Sequence, residues 1–97
     1  MSRIRIIGGE WRSRLIDVGA VKGLRPTPDR VRETLFNWLG QELDGKTCLD
    51  LFAGSGALGF EAASRGAAQV TMIEQDAVAW GALQANAKTL QAARVRI

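Results

Sequence analysis

A chain of 97 residues holds one small domain and not two. Its 46% hydrophobic and 24% charged residues exclude wholesale disorder. No apolar run approaches the ~18 residues of a membrane span, and "MSRIRIIGGEW" lacks the apolar core of a secretory signal, so a cytoplasmic protein without membrane contact is expected. With no histidine and one cysteine, Cys48, an internal disulfide is excluded and no zinc site of the usual kind is expected. The net charge of +3 is unevenly placed: residues 1–46 hold nine Lys/Arg against six Asp/Glu, and residues 47–97 hold four of each. A basic segment on a neutral one suggests an arm that meets a polyanion.

The first element reads as a β-hairpin. "RIRII" and "EWRSRLI" flank Gly8-Gly9, which suit a two-residue turn. That turn sets Arg5 opposite Arg12, Arg3 opposite Arg14 and Ile6 opposite Trp11. One face then carries Ile4, Ile6, Trp11 and Leu15, and the other Arg3, Arg5, Arg12 and Arg14. Like charges directly opposite in a sheet are destabilising, whereas a phosphate backbone would neutralise them. These four arginines are therefore candidate nucleic-acid contacts. Residues 1–24 form this basic extension.

"LRPTPDRVRETLFNWLGQ" reads as a helix with Thr27 as N-cap, Pro28 at its first position and Gly40 just past its end. Val31, Leu35 and Trp38 or Leu39 make the inward stripe, and Arg25, Arg30 and Arg32 the polar side. Arg30 joins the candidate RNA contacts. After Gly45 the pattern becomes strand–helix–strand–helix–strand: "TCLDLF", "GALGFEAASR" closed by Gly66, "QVTMIE", a helix capped by Asp76, and "RVRI". In the second helix Trp80, Leu83, Ala87 and Leu90 face inward. "TCLDLF" has the continuous apolar run of a parallel strand buried on both faces. This β-α-β-α-β order is half of a doubly wound, Rossmann-like α/β fold spanning residues 25–97, preceded by the hairpin and a helix. Its first strand has no partner on one side, so the chain is expected to be the N-terminal part of a longer protein.

Gly54-x-Gly56-x-x-Gly59 follows a strand and opens a helix, the context of a nucleotide-binding loop. Glu74 ends the next strand, where a carboxylate accepts hydrogen bonds from a ribose diol. No Gly-Lys-Ser/Thr is present, so a P-loop is excluded. A dinucleotide would place its pyrophosphate over the helix N-terminus, close to the negative charge of Asp50. S-adenosylmethionine carries a sulfonium and an ammonium, which Asp50 would attract. The sign of the charge favours S-adenosylmethionine over NAD or FAD. A nicotinamide- or flavin-dependent oxidoreductase and a non-catalytic RNA-binding module remain as alternatives.

"DLFAGSGALGFEAASRGA" with "IEQD" resembles the cofactor motifs of class I methyltransferases. Together with "IRIIGGEWRSRLI" and "LRPTPDRVRETLFNWL", it is similar to the N-terminal half of RsmD-type 16S ribosomal RNA guanine-N2 methyltransferases. The resemblance implies S-adenosylmethionine as methyl donor and 16S rRNA, or the small ribosomal subunit, as partner. It assigns Asp50, Phe52, Ala53, Gly54, Ser55 and Gly56 to the cofactor loop, Glu74 to the ribose and Gln75 to the neighbourhood of the adenine. It places Arg25 and Thr27 near the methionine end, although Arg25 could equally cap a helix or meet RNA. Such enzymes grip the reactive amine with an Asn/Asp-Pro-Pro-aromatic motif. The prolines here are Pro26 and Pro28, with no Pro-Pro, so no catalytic residue is assigned and residues 1–97 alone are expected to be inactive.

Overall fold

The computed structural model describes residues 3–17, 29–40, 42–51 and 53–97. Strands β1 (Arg3–Arg5) and β2 (Leu15–Asp17) pair antiparallel, with Arg3 opposite Asp17, Ile4 opposite Ile16 and Arg5 opposite Leu15. This register corrects the expected one by three residues. Gly8-Gly9 is not the turn. The chain reverses beyond it, through Arg12 N–H to Gly9 O (3.2 Å) and Arg14 N–H to Trp11 O (2.9 Å), with Ser13 at φ 70°. An odd shift exchanges the two faces of a strand. Leu15, expected inside, is therefore exposed, and Ile16 is buried in its place with Ile4, Ile6 and Trp11. The expected arginine–arginine pairs do not form. Arg3 Nε instead donates to Asp17 Oδ1 at 3.1 Å.

The two glycines serve close approach. Gly9, at φ 81°, lies so near the end of a helix that a Cβ would fall on the Ser64 carbonyl. That helix is α2 (Ala57–Ser64), and it leads to α3 (Ala77–Leu90) through β4 (Gln69–Met72). β3 (Thr47–Asp50), β4 and β5 (Val95–Arg96) form a parallel sheet in the order β3-β4-β5. Val70 and Met72 are buried with Phe60, Ala62 and Ala63 in the main core, which Cys48, Val95 and Ile97 join from the flanking strands. The opposite sheet face is open: Leu49 is 62% exposed and Ile73 49%. The expectation of a β3 buried on both faces is thus corrected. Among the described residues only one face is covered, and no strand pairs with the outer edge of β3.

Helix caps follow their chemistry. The Asp76 carboxylate accepts from Val78 N–H (2.9 Å) and Ala79 N–H (3.0 Å) and starts α3. Gly66 at φ 100° ends α2, where Ala67 N–H returns to Ala62 O at 3.2 Å. The inward residues of α3 are Ala79, Leu83, Asn86 and Leu90. Trp80, expected among them, is half exposed.

Helix α1 (Asp29–Leu39) shows the largest departure. Its buried residues are Arg32 and Phe36, while Val31, Trp38 and Leu39, expected to face inward, are exposed. Arg32, expected on the polar side, faces a carboxylate inside the protein. Glu61 of α2 is fully buried, and Arg32 Nη1 donates to its Oε1 at 3.4 Å. A buried charge requires a partner, and this demand outweighs the apolar stripe. Thr27 and Pro28 lie outside the described residues.

Candidate cofactor-binding site

The loop between β3 and α2 is held by Ile73, just past the end of β4. Ile73 N–H donates to Asp50 O (2.8 Å) and Ala53 N–H to Ile73 O (3.1 Å), so the strand ladder continues past β3 into the loop. Gly54 (φ 55°) and Gly56 (φ 83°) then turn the chain through left-handed conformations, which L-residues with a Cβ disfavour. A Cβ on Gly56 would lie 2.6 Å from Leu83 Cδ2 and 2.7 Å from the Phe60 ring. Gly59 packs its bare Cα against the thioether of Met72, which brings α2 close to β4. Ser55 is buried and its Oγ accepts from Ala57 N–H at 3.3 Å, satisfying one donor of the helix start.

Glu74 links this loop to the next helix. Its Oε1 accepts from Gly54 N–H (2.8 Å) and its Oε2 from Asp76 N–H (2.9 Å). Each carboxylate oxygen has a second lone pair, so these bonds leave acceptor capacity for further donors. Asp50, half-buried, ends β3, and Gln75 is exposed beside Glu74. The structure therefore brings Asp50, Ala53, Gly54, Ser55, Gly56, Glu74 and Gln75 to the carboxyl ends of β3 and β4, where open α/β sheets bind ligands. Phe52, Arg25 and Thr27 lie outside the described residues. The donor set fits S-adenosylmethionine. Two carboxylates, Asp50 and Glu74, stand by a loop without Lys or Arg.

The arginines of the arm are solvent-exposed. Arg5 Nη1 donates to Ser13 O (3.2 Å) and Arg14 Nη2 to Thr89 O (3.3 Å). Arg12 and Arg30 are exposed as well. The hairpin tip meets the carboxyl end of α2 at Ser64 and that of α3 at Thr89, whereas the glycine loop is at the amino end of α2. Tip and loop are thus separated by the length of an eight-residue helix, about 12 Å.

Several residues that seat the hairpin escape sequence reasoning. The Asn86 amide pairs with Asp17 as a strand would: Asp17 N–H donates to its Oδ1 (3.1 Å) and its Nδ2 to Asp17 O (2.7 Å). Ser64 Oγ accepts from Trp11 N–H at 2.9 Å and donates to Gly8 O at 2.5 Å. Nothing local in the sequence marks these. Glu61 and Arg65, at i,i+4, do carry a local signal, and Arg65 Nε donates to Glu61 Oε2 at 2.9 Å.

Parallel strands, a glycine loop opening α2 and an acid closing β4 define a Rossmann-like unit of the class I methyltransferase type. Residues 4–97 match the family described as Conserved hypothetical protein 95, and the chain belongs to that family. It is 56% identical over 95 residues to Ribosomal RNA small subunit methyltransferase D of Escherichia coli, covering 98% of this chain and 48% of that protein. The protein of the same name from Haemophilus influenzae is 53% identical over 88 residues, covering 91% and 46%. A solved Escherichia coli structure, described as that of a candidate methyltransferase, superposes with a TM-score of 0.87 at 52% identity, over 98% of this chain and 51% of the other. The resemblance to RsmD-type enzymes thus holds across almost the whole chain. The chain spans about half the length of the curated relatives it matches.

Proposed function

We propose that this chain is the cofactor-binding part of an S-adenosylmethionine-dependent methyltransferase of the cytoplasm. Its acceptor is the N2 amine of a guanine in small-subunit 16S ribosomal RNA. The observation that carries this reading is a glycine loop without Lys or Arg between Asp50, which ends β3, and Glu74, which accepts from Gly54 N–H. The cofactor supplies a methyl group made electrophilic by its sulfonium. Asp50 attracts the cationic end, directly or through water. Glu74 takes the ribose hydroxyls on the lone pairs that Gly54 and Asp76 leave, and Gln75 stands near the adenine. The family resemblance assigns Phe52, Ala53, Gly54, Ser55 and Gly56 to the cofactor loop, and Arg25 and Thr27 to the methionine end.

Residues 1–24 act as an RNA-binding arm on the cofactor-binding half formed by residues 25–97, with Arg3, Arg5, Arg12, Arg14 and Arg30 contacting phosphates. Methyl transfer depends mainly on holding nucleophile and sulfonium in line, so the element that grips the guanine amine completes the site.

Calorimetric titration of a chain of the relatives' full length with S-adenosylhomocysteine and with NADH tests the cofactor. Binding of the first and not the second is expected. Asp50→Asn should weaken it about tenfold or more, the loss of one charge interaction of ~1.4 kcal/mol. NADH binding, or indifference to Asp50→Asn, would refute the reading.

A further inference from the structure

Glu61 lies within the glycine-loop helix, yet it touches nothing that the cofactor reading uses. Its side chain is fully buried. Oε1 accepts from Ile7 N–H (2.9 Å) and from Arg32 of α1, and Oε2 accepts from Gly8 N–H (2.9 Å) and Arg65. Arg32 Nη2 in turn donates to Arg5 O at 2.9 Å. The Arg65 guanidinium stands 4.8 Å from the centre of the Phe36 ring on α1. One carboxylate therefore joins three elements: the hairpin through its backbone, α1 through Arg32, and α2 itself.

A buried ion pair is a poor source of stability, because its desolvation cost offsets the attraction, and its best-attested use is to fix register. Each oxygen takes one hairpin N–H and one arginine, so the node fixes the orientation of the carboxylate as well as its contacts. Ser64 also holds the hairpin on α2, through Trp11 N–H and Gly8 O; Glu61 differs in joining α1 to the same node through Arg32.

We propose that Glu61 is the positioning residue of the RNA arm. It sets the basic hairpin and α1 in fixed geometry on the helix that opens from the cofactor loop. This rests on the reading of the arm as the RNA contact. The cofactor loop has its own supports in Glu74, Ser55 and the Ile73 ladder. Disturbing the node should therefore impair RNA placement and spare the cofactor.

The test uses a chain of the relatives' full length, with small-subunit rRNA as substrate. In Glu61→Gln one oxygen becomes an NH2, and either amide orientation sets donor against donor. KM for RNA should rise about tenfold, the effect of removing roughly one charge-assisted hydrogen bond, with kcat and S-adenosylhomocysteine affinity within about twofold. Amide exchange at Ile7 and Gly8 should accelerate. Gly9→Ala leaves every charge in place but forces a Cβ onto the Ser64 carbonyl. It should give the same split, and it decides the matter if Glu61→Gln does not fold.

Equal losses of cofactor and RNA affinity would overturn the proposal, because they indicate a merely structural residue. So would faster exchange at Ile7 and Gly8 with an unchanged KM for RNA. Changing Arg3, Arg5, Arg12 and Arg14 to Ala separates the two levels. If that variant binds RNA normally, the RNA reading of the arm fails; if it binds weakly while Glu61→Gln and Gly9→Ala bind normally, only the role of Glu61 fails.

Discussion

Glycine to alanine should have opposite effects on stability at Gly56 and at Gly81. Gly56 precedes α2 at φ 83°. Holding alanine in a left-handed conformation costs about 1–2 kcal/mol. The new methyl group would also lie 2.6 Å from Leu83 Cδ2 and 2.7 Å from the Phe60 ring. Both side chains are fully buried and cannot swing into solvent. Overpacking of a filled core adds roughly 1–3 kcal/mol, for a total destabilisation of about 2–5 kcal/mol. Gly81 lies inside α3, and a Cβ there meets nothing within 4 Å. Alanine at that position gains up to about 1 kcal/mol of helix propensity.

Urea denaturation of wild type and both variants, followed by far-UV circular dichroism, measures the two changes. A cost below about 0.5 kcal/mol for Gly56→Ala, the range of ordinary surface substitutions, would refute the packing argument. A destabilising Gly81→Ala would refute the account of α3. Gly56→Ala should also weaken S-adenosylhomocysteine binding, because the loop must move to admit the methyl group.

Replacing Arg3, Arg5, Arg12 and Arg14 with alanine should flatten the salt dependence of RNA binding. For each single-strand phosphate no longer neutralised, the slope of log K against log salt falls by about 0.7; an unchanged slope removes the arm from the RNA site. Asp76→Ala deletes the acceptor for Val78 and Ala79 N–H, and should cost about 1 kcal/mol in thermal or urea denaturation. Residues 1–97 alone should transfer no methyl group to small-subunit rRNA, whereas a chain of the relatives' length should do so; comparable turnover by both would show that the amine grip is dispensable.

What the sequence discloses here depends on whether the cause is local. The glycine loop, the Asp76 cap and the Gly66 stop are each set by neighbours within a few residues, and all three stand in the fold where pattern places them. The acid at Glu74 is legible for the same reason, since strand length fixes its distance from the loop. The hairpin register is not local. Gly8-Gly9 reads as a turn until α2 is present, and then its lack of side chains is needed for contact with Ser64. Helix α1 fails similarly. Its apolar stripe of Val31, Leu35 and Trp38 is real, but the choice of face is made by a carboxylate 29 residues downstream of Arg32. Nothing in the periodicity of α1 could reveal that partner.

The hairpin's anchors also bear on how the chain is made. Asp17 waits for Asn86, 69 residues later, and Arg14 for Thr89, 75 residues later. At translation rates of about 5–20 residues per second, that delay is roughly 4–15 s. Late in that interval the arm has its bonds to Glu61 and Ser64 of α2 but lacks those to α3. The arm is thus fully secured only long after its own synthesis, and a slow or stalled ribosome prolongs the period in which it is open to capture by chaperones or to aggregation.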